Sequence, residues 1–191
     1  MEPFQGTRHG SRAISWNWRL LRHWKAERTE IPGGTRQLIS TEDIPRIKRP
    51  GVLICAQPSA LNNPEKDRTI LGEDRAKRAY PYRILLDSGV PLSFGSEAPG
   101  EKTFNPFVVI HYAVNRDGDE KISLIEALKC YTAGSAYAEF KEDAKGCLSP
   151  GMAADFTILS GNLLATEKHG IKDVTIYQTF VDGRIVYESP K

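Results

Sequence analysis

The chain has few cysteines and no long apolar run, and these absences exclude several classes of protein. Its 191 residues include only Cys55, Cys130 and Cys147. Their number is odd and no Cys-x-x-Cys pair occurs, so we expect neither a disulfide framework nor a cysteine zinc site, and a reducing compartment fits. No run of about 18 apolar residues is present, and the N-terminus lacks the apolar core of a secretory signal. We therefore expect a cytoplasmic protein with no membrane span.

Clustered histidines and strong net charge are also lacking. The four histidines, His9, His23, His111 and His169, are isolated, and the sequence contains no His-x-His pair. The formal net charge of +2 and a pI near 8.4 are too mild to favour nucleic acid as the main partner. A hydrophobic content of 40% over this length can bury a real core. We expect one globular domain with a small appendage.

Residues 1–36 differ in composition from the rest of the chain. They contain all three tryptophans and several scattered arginines. Ile14, Trp18 and Leu21 recur at helical spacing, which predicts a helix. That helix would either cover an exposed part of the body or serve as a basic aromatic arm for a membrane surface or RNA.

From Gln37 onward the pattern alternates strands and helices. Residues 52–56 form an unbroken apolar run, as expected for a parallel strand covered on both faces. A helix at 82–86 and a second strand at 90–94 repeat the unit, and residues 105–115 predict a further helix.

The last third of the chain changes from helical to strand periodicity. Ser123 and Glu126 have the spacing of a capping box, which predicts the start of a helix. Residues 155–159 then predict a strand, and residues 175–187 predict a β-hairpin around the Asp-Gly pair at 182–183.

Polar side chains at the ends of the two apolar strands are candidate site residues. Residues 90–99 run from a strand into a turn of small residues that carries Glu97, and strand ends of this kind hold the chemistry of α/β barrels. Glutamate binds zinc or acts as a general base, although it also occurs as a solvated or capping carboxylate. Gln57 occupies the corresponding end of the preceding strand, where its amide either points into a barrel mouth or satisfies loop backbone.

Other candidates have simpler structural interpretations beside the functional one. Arg75 and Arg83 are suited to an anionic substrate group, or they lie on solvated faces. His111 is expected to be a packed or surface histidine rather than a ligand. Cys55, inside an apolar strand, is expected to be a core residue.

In this order the motifs resemble the C-terminal part of the amidohydrolase superfamily, in its amidohydrolase 3 branch of metal-dependent hydrolases. Residues 90–99 resemble its last barrel strand, where the branch has Gly-Ser-Asp-x-Pro and this chain has Glu97 in the place of the Asp. The other matching segments resemble the seventh barrel unit, the entry to the eighth, the helix that leaves the barrel, the re-entry strand and the final hairpin: 42–59, 79–91, 126–136, 145–155 and 182–187.

The resemblance implies an α/β fold that comprises the C-terminal portion of a (β/α)8 TIM-like barrel plus part of a small accessory β-sandwich. On this interpretation, residues 1–36 are a divergent N-terminal segment. Residues 37–140 form a partial barrel, and residues 141–191 belong to the β-sandwich.

The resemblance also implies a metal-dependent hydrolase of non-peptide carbon–nitrogen bonds, with a small amide-type substrate and a divalent metal such as zinc. Glu97 would be the catalytic and metal-binding residue, and Gln57 and Arg75 would bind substrate. Because the family's His-x-His pair and first five barrel strands are not found, we expect a truncated or degenerate copy without a full metal site. Self-association or a partner chain could complete the barrel. The alternative is a non-catalytic interaction module that uses residues 1–36.

Overall fold

The computed structural model describes residues 29–30, 38–48, 52–96 and 103–190, which form a mixed α/β structure with two three-stranded sheets. Its strands are β1 (Thr29–Glu30), β2 (Val52–Ala56), β3 (Leu92–Phe94), β4 (Phe156–Leu159), β5 (Ile176–Val181) and β6 (Arg184–Glu188). Its α-helices are α1 (Ile44–Lys48), α2 (Pro64–Leu71), α3 (Glu73–Lys77), α4 (Tyr82–Asp87), α5 (Pro106–Asn115), α6 (Leu124–Tyr131) and α7 (Ala133–Ala138). Short 3₁₀ helices span Thr41–Asp43, Pro58–Asn62, Leu163–Ala165 and Lys168–Asp173.

The first sheet is parallel and has the order β1-β2-β3. The predicted strand at 52–56 is confirmed, and Val52, Leu53 and Ile54 are buried within it. Helices α4, α6 and α7 pack against β3, so its side chains are buried as well. Each large aliphatic side chain buried in this way contributes about 1.5–3 kcal/mol.

Strand β3 begins at Leu92, two residues later than the strand at 90–94 that the sequence predicts. Pro91 has no backbone N–H to donate to a neighbouring strand. Its carbonyl oxygen nevertheless accepts a hydrogen bond of 2.9 Å from the backbone N–H of Ile54. The pairing therefore starts at Pro91 through its acceptor, and the regular ladder follows.

The polar stretch between β2 and α4 contains two helices, α2 and α3, that the sequence analysis did not predict. Neither has a fully buried residue, so neither shows an apolar stripe. Helix α2 begins with a local signal instead, because the side chain of Asn63 accepts a 3.0 Å hydrogen bond from the backbone N–H of Lys66.

The predicted helices at 82–86 and 105–115 are confirmed as α4 and α5. The capping box is also confirmed, because the Ser123 and Glu126 side chains bond each other's backbone N–H groups at the start of α6. Glu126 has a second role. It accepts two hydrogen bonds of 2.8 and 2.6 Å from the guanidinium of Arg83 on α4, which joins the two helices.

The second sheet is antiparallel with the order β4-β5-β6. The predicted hairpin is confirmed, and the left-handed φ values of Asp182 and Gly183, 51° and 72°, fit the type I′ turn. Phe156 and Phe180 stack across β4 and β5 with ring centroids 4.3 Å apart.

The two sheets share one hydrophobic core. The 3₁₀ helix Lys168–Asp173, which precedes β5, packs against α5, and its Ile171 is 1% exposed. Ile171 and Leu163 belong to the same buried cluster as the residues of β2 and β3. The Asn115 side chain at the end of α5 donates a 2.8 Å hydrogen bond to the carbonyl oxygen of Lys168.

The helix predicted around Trp18 lies outside the described residues. Within the N-terminal segment 1–36, the structure describes Thr29–Glu30 as strand β1, which pairs with Val52 and Leu53 of β2.

Candidate functional site

The ends of β2 and β3 lie side by side. Ala56 and Phe94 are paired in register at the carboxyl ends of the two strands, and the backbone N–H of Gly95 bonds the Ala56 carbonyl at 3.0 Å. Ser59, which is 1% exposed, donates a 3.2 Å hydrogen bond from its hydroxyl to the Ser96 carbonyl. These bonds hold the turns after the two strands together. This arrangement is expected if candidate residues at both strand ends belong to one site.

Gln57 follows β2 at this edge of the sheet and is partly buried. Its Oε1 atom is buried and accepts no hydrogen bond from the described residues. Its side chain also forms no cap for the 3₁₀ helix that starts at Pro58. A buried carbonyl oxygen without a donor costs about 1–3 kcal/mol, so a bound group that donates to it would recover that cost.

Glu97, the candidate catalytic and metal-binding residue, lies outside the described residues. In the sequence it follows Ser96 directly, and the Ser96 carbonyl is the one bonded by Ser59. Its role stays a prediction.

The two candidate arginines occupy different environments. Arg75 is exposed on α3. Arg83 is engaged by the carboxylates of Glu126 and Asp87, with N–O distances of 2.6 and 3.1 Å. These bonds raise the pKa of Arg83 and lower that of Glu126 to about 2, with the Arg83 hydrogen bond as the main cause in Glu126. Arg83 thus joins two helices, and Arg75 stays a prediction for substrate binding.

His111 contacts protein groups, as its structural interpretation expected, whereas Cys55 is only partly buried and, contrary to expectation, does not belong to the buried core. His111 on α5 is partly buried, and its Nδ1 lies 3.2 Å from the Asn115 amide nitrogen. Burial lowers its pKa, and the neighbouring Lys172 and His169 act in the same direction. Cys55 accepts a 3.1 Å hydrogen bond from the Ser93 hydroxyl between β3 and β2.

The described part of the chain does not by itself fit a metal ion. Within 29–30, 38–48, 52–96 and 103–190, no group of three or more His, Cys, Asp or Glu residues is arranged to hold one. The two histidines in this part of the chain, His111 and His169, have ring centroids 6.4 Å apart. A metal site at the strand ends would need ligands in addition to these residues.

A cavity of about 640 Å³ lies beside the 3₁₀ helix that follows β2. It is formed by that helix, α2, α3, the end of α5 and the loop after α5. Its lining includes Leu61, Asn62, Pro64, Asp67, Arg68, Glu73, Ala76, Lys77, Arg78, Tyr80, His111, Tyr112, Asn115, Arg116, Asp117, Gly118, Asp119, Glu120 and His169. Neither Gln57 nor Arg75 lines it.

Tyr80 and Arg116 are lining residues that the sequence analysis missed. Tyr80 is 3% exposed and has a left-handed φ of 53°, which is uncommon for a bulky residue. Its carbonyl oxygen accepts a hydrogen bond from Nη1 of Arg116, whose guanidinium carbon lies 5.8 Å from the ring centroid of Tyr82. No motif marks either residue, because the contact joins positions 36 apart in the chain.

The described residues thus form a parallel β/α segment whose strand ends are tied together, followed by a small antiparallel sheet. The sequence profile of the amidohydrolase family matches residues 19–187. The chain belongs to this family.

Individual relatives agree with this assignment. The chain is 33% identical over 80% of its length to "Putative amidohydrolase YtcJ" of Bacillus subtilis, covering 31% of that protein. It is 28% identical over 58% of its length to the N-substituted formamide deformylase of Arthrobacter pascens, covering 22% of it. The chain thus spans less than a third of the length of these curated relatives.

Solved structures show the same fold. An uncharacterised metal-dependent hydrolase from Pyrococcus furiosus matches with a TM-score of 0.64 and 32% identity, over 75% of this chain and 30% of that one. Helices long and apolar enough to cross a membrane do not occur in the part of the chain that the structure describes.

Proposed function

We propose that the chain takes part in metal-dependent hydrolysis of non-peptide carbon–nitrogen bonds, such as those of amides. The observation that carries the proposal is the pair of tied strand ends, where Gln57 presents a buried acceptor without a donor. Family membership supplies the reaction class, and the formamide-cleaving relative supports an amide-type small-molecule substrate.

Each candidate residue has a role in this proposal. Glu97 would bind a divalent metal such as zinc or accept the proton of the attacking water, which a carboxylate at a strand end is suited to do. Gln57 would accept a hydrogen bond from the substrate, and Arg75 would meet an anionic substrate group. When bound, the metal would activate water for attack on the substrate carbonyl.

The site is incomplete in this proposal. Residues 37–140 would form the last strand–helix units of a barrel, and residues 141–191 would contribute to an accessory β-sandwich. Because the described residues do not form a metal-binding cluster, the other ligands would come from further strands. A partner chain or a second copy could supply them.

The experiment compares the chain alone with the chain co-expressed with the part of YtcJ outside the matched region. We expect zinc-dependent amine release from an N-substituted formamide only in the co-expressed sample. It should be lost in Glu97→Ala and reduced in Gln57→Leu, with Gln178→Leu on β5 as the control. Rapid hydrolysis by the chain alone would contradict the proposal that its site is incomplete. The absence of hydrolysis from both samples would contradict the proposal that the chain takes part in hydrolysis.

A further inference from the structure

The cavity beside α5 contains an arginine that has no ionic partner among the described residues. Arg116 is partly buried, and it takes no part in the ion pairs of these residues. Its only hydrogen bonds there go to two carbonyl oxygens, those of Tyr80 and Asp117. A buried guanidinium usually has a carboxylate or phosphate partner, because neutral acceptors compensate its desolvation poorly.

The carboxylates of the cavity are largely committed to other groups. Glu73 pairs with Lys77 at 3.7 Å and with Arg68 at 4.0 Å, and Asp117 pairs with Arg68 at 3.4 Å. Glu120 accepts a 3.2 Å hydrogen bond from a backbone N–H of α4.

The remaining two carboxylates, Asp67 and Asp119, also form no ion pair with Arg116 among the described residues. Asp67 is partly buried and Asp119 is exposed, and the charges of Asp67, Asp117 and Glu120 act on Arg116 only through space. No described carboxylate is therefore bonded directly to the guanidinium, and a bound anion could take that place.

The surroundings of Arg116 also fix its orientation. Tyr80 has a left-handed φ, and its carbonyl oxygen accepts a hydrogen bond from Nη1 of Arg116. The guanidinium carbon of Arg116 lies over the ring of Tyr82, 5.8 Å from its centroid. Strained residues of this kind often occur at ligand sites, where the surrounding structure holds them. Nη2 of Arg116 donates to no described residue, so its N–H groups remain available to a bound anion.

We propose that this cavity binds a small ligand through a carboxylate or phosphate group, with Arg116 as the residue that recognises the anion. Arginine presents parallel N–H donors that match planar oxygen pairs, and His111 also lines the cavity from the same helix, α5. Gln57 does not line this cavity. Anion binding here does not depend on metal chemistry, so it can be tested without the hydrolase reaction.

The test titrates the full chain with sodium phosphate and with sodium succinate at constant ionic strength, using isothermal titration calorimetry. We expect saturable binding of at least one anion, and whichever binds identifies the chemical source. Arg116→Lys should weaken binding by about tenfold or more, because lysine keeps the charge but loses the fork. Arg184→Lys on the exposed strand β6 is the matched control and should bind normally.

A second pair of variants covers the case in which Arg116→Lys does not fold. Ala76 on α3 lines the cavity. Ala76→Glu should weaken anion binding by charge repulsion, whereas Ala76→Gln, of nearly equal size, should weaken it much less. The proposal is wrong if neither anion binds saturably, or if Ala76→Glu binds as tightly as Ala76→Gln.

Discussion

Gly134 lies in the first turn of α7, where the helix crosses β3, and its missing side chain sets the distance between them. A Cβ atom at this position would lie 2.4 Å from the carbonyl oxygen of Leu92 and 3.3 Å from the Cα of Ser93. Both neighbours are backbone atoms of the strand, so they cannot rotate away. Real Cβ contacts stay above 3.0 Å, so Gly134→Ala requires a shift of about 0.6 Å between helix and strand.

The expected cost follows from two opposing contributions. Overpacking of a well-packed core costs about 1–3 kcal/mol, and the clash with backbone places this case at the upper end. Alanine returns about 1 kcal/mol of helix propensity relative to glycine. We therefore expect Gly134→Ala to lower the free energy of unfolding by about 2 kcal/mol. It should also weaken the 3.2 Å hydrogen bond from the Ser135 hydroxyl to the Phe94 carbonyl.

Urea denaturation followed by circular dichroism measures this cost. The control is Gly161→Ala, because a Cβ there meets nothing within 4 Å and the residue lacks a left-handed φ. The control should keep the wild-type midpoint or raise it slightly, since alanine restricts the unfolded chain. If Gly134→Ala were as stable as the control, the close packing of α7 on β3 would not exist in solution.

Two further predictions concern pH. The folded pKa of Glu126 is about 2, below its ordinary value of 4.5, so its contribution is present above about pH 4.5 and is lost as the pH falls toward 2. Glu126→Gln should cost about 1–2 kcal/mol at neutral pH, after allowance for its partial exposure, and should flatten the acid limb of the stability curve. An unchanged acid limb would mean that Arg83 does not hold this carboxylate. His111 also has a lowered pKa in the folded state, so stability should fall as the pH drops below about 6.5 and the unfolded histidine takes up a proton. The melting temperature measured between pH 5 and 7.5 should depend less on pH in His111→Gln than in the wild type, with Gln178→Leu on β5 as the control; equal pH slopes in the wild type and His111→Gln would contradict the argument.

Local signals in the sequence predicted much of the fold. The apolar run at 52–56, the capping box at Ser123 and the Asp-Gly turn each act over a few residues, and each forms the predicted element. Helices α2 and α3 were missed because helices that bury no residue carry no apolar period.

The candidate site was predicted only in part, for a different physical reason. Gln57 was found because it ends a strand, and strand ends can be read from the chain. Tyr80 and Arg116 were not found, because their contact joins the turn before α4 to the end of α5, 36 positions apart in the chain. Side chains that meet through tertiary packing leave no pattern in neighbouring residues.

The contact between the 3₁₀ helix Lys168–Asp173 and α5 also bears on how this sequence could be divided by recombination or protein engineering. The linker between α7 and β4 separates the parallel sheet from the antiparallel sheet. On strand pairing alone, it would be chosen as the place to cut the chain into two parts. A cut there would expose Ile171 to solvent in one product, and it would expose the surface of α5 that packs against the 3₁₀ helix Lys168–Asp173 in the other. Descendants that inherit one sheet should therefore inherit the other, and the two would evolve as a single unit of inheritance.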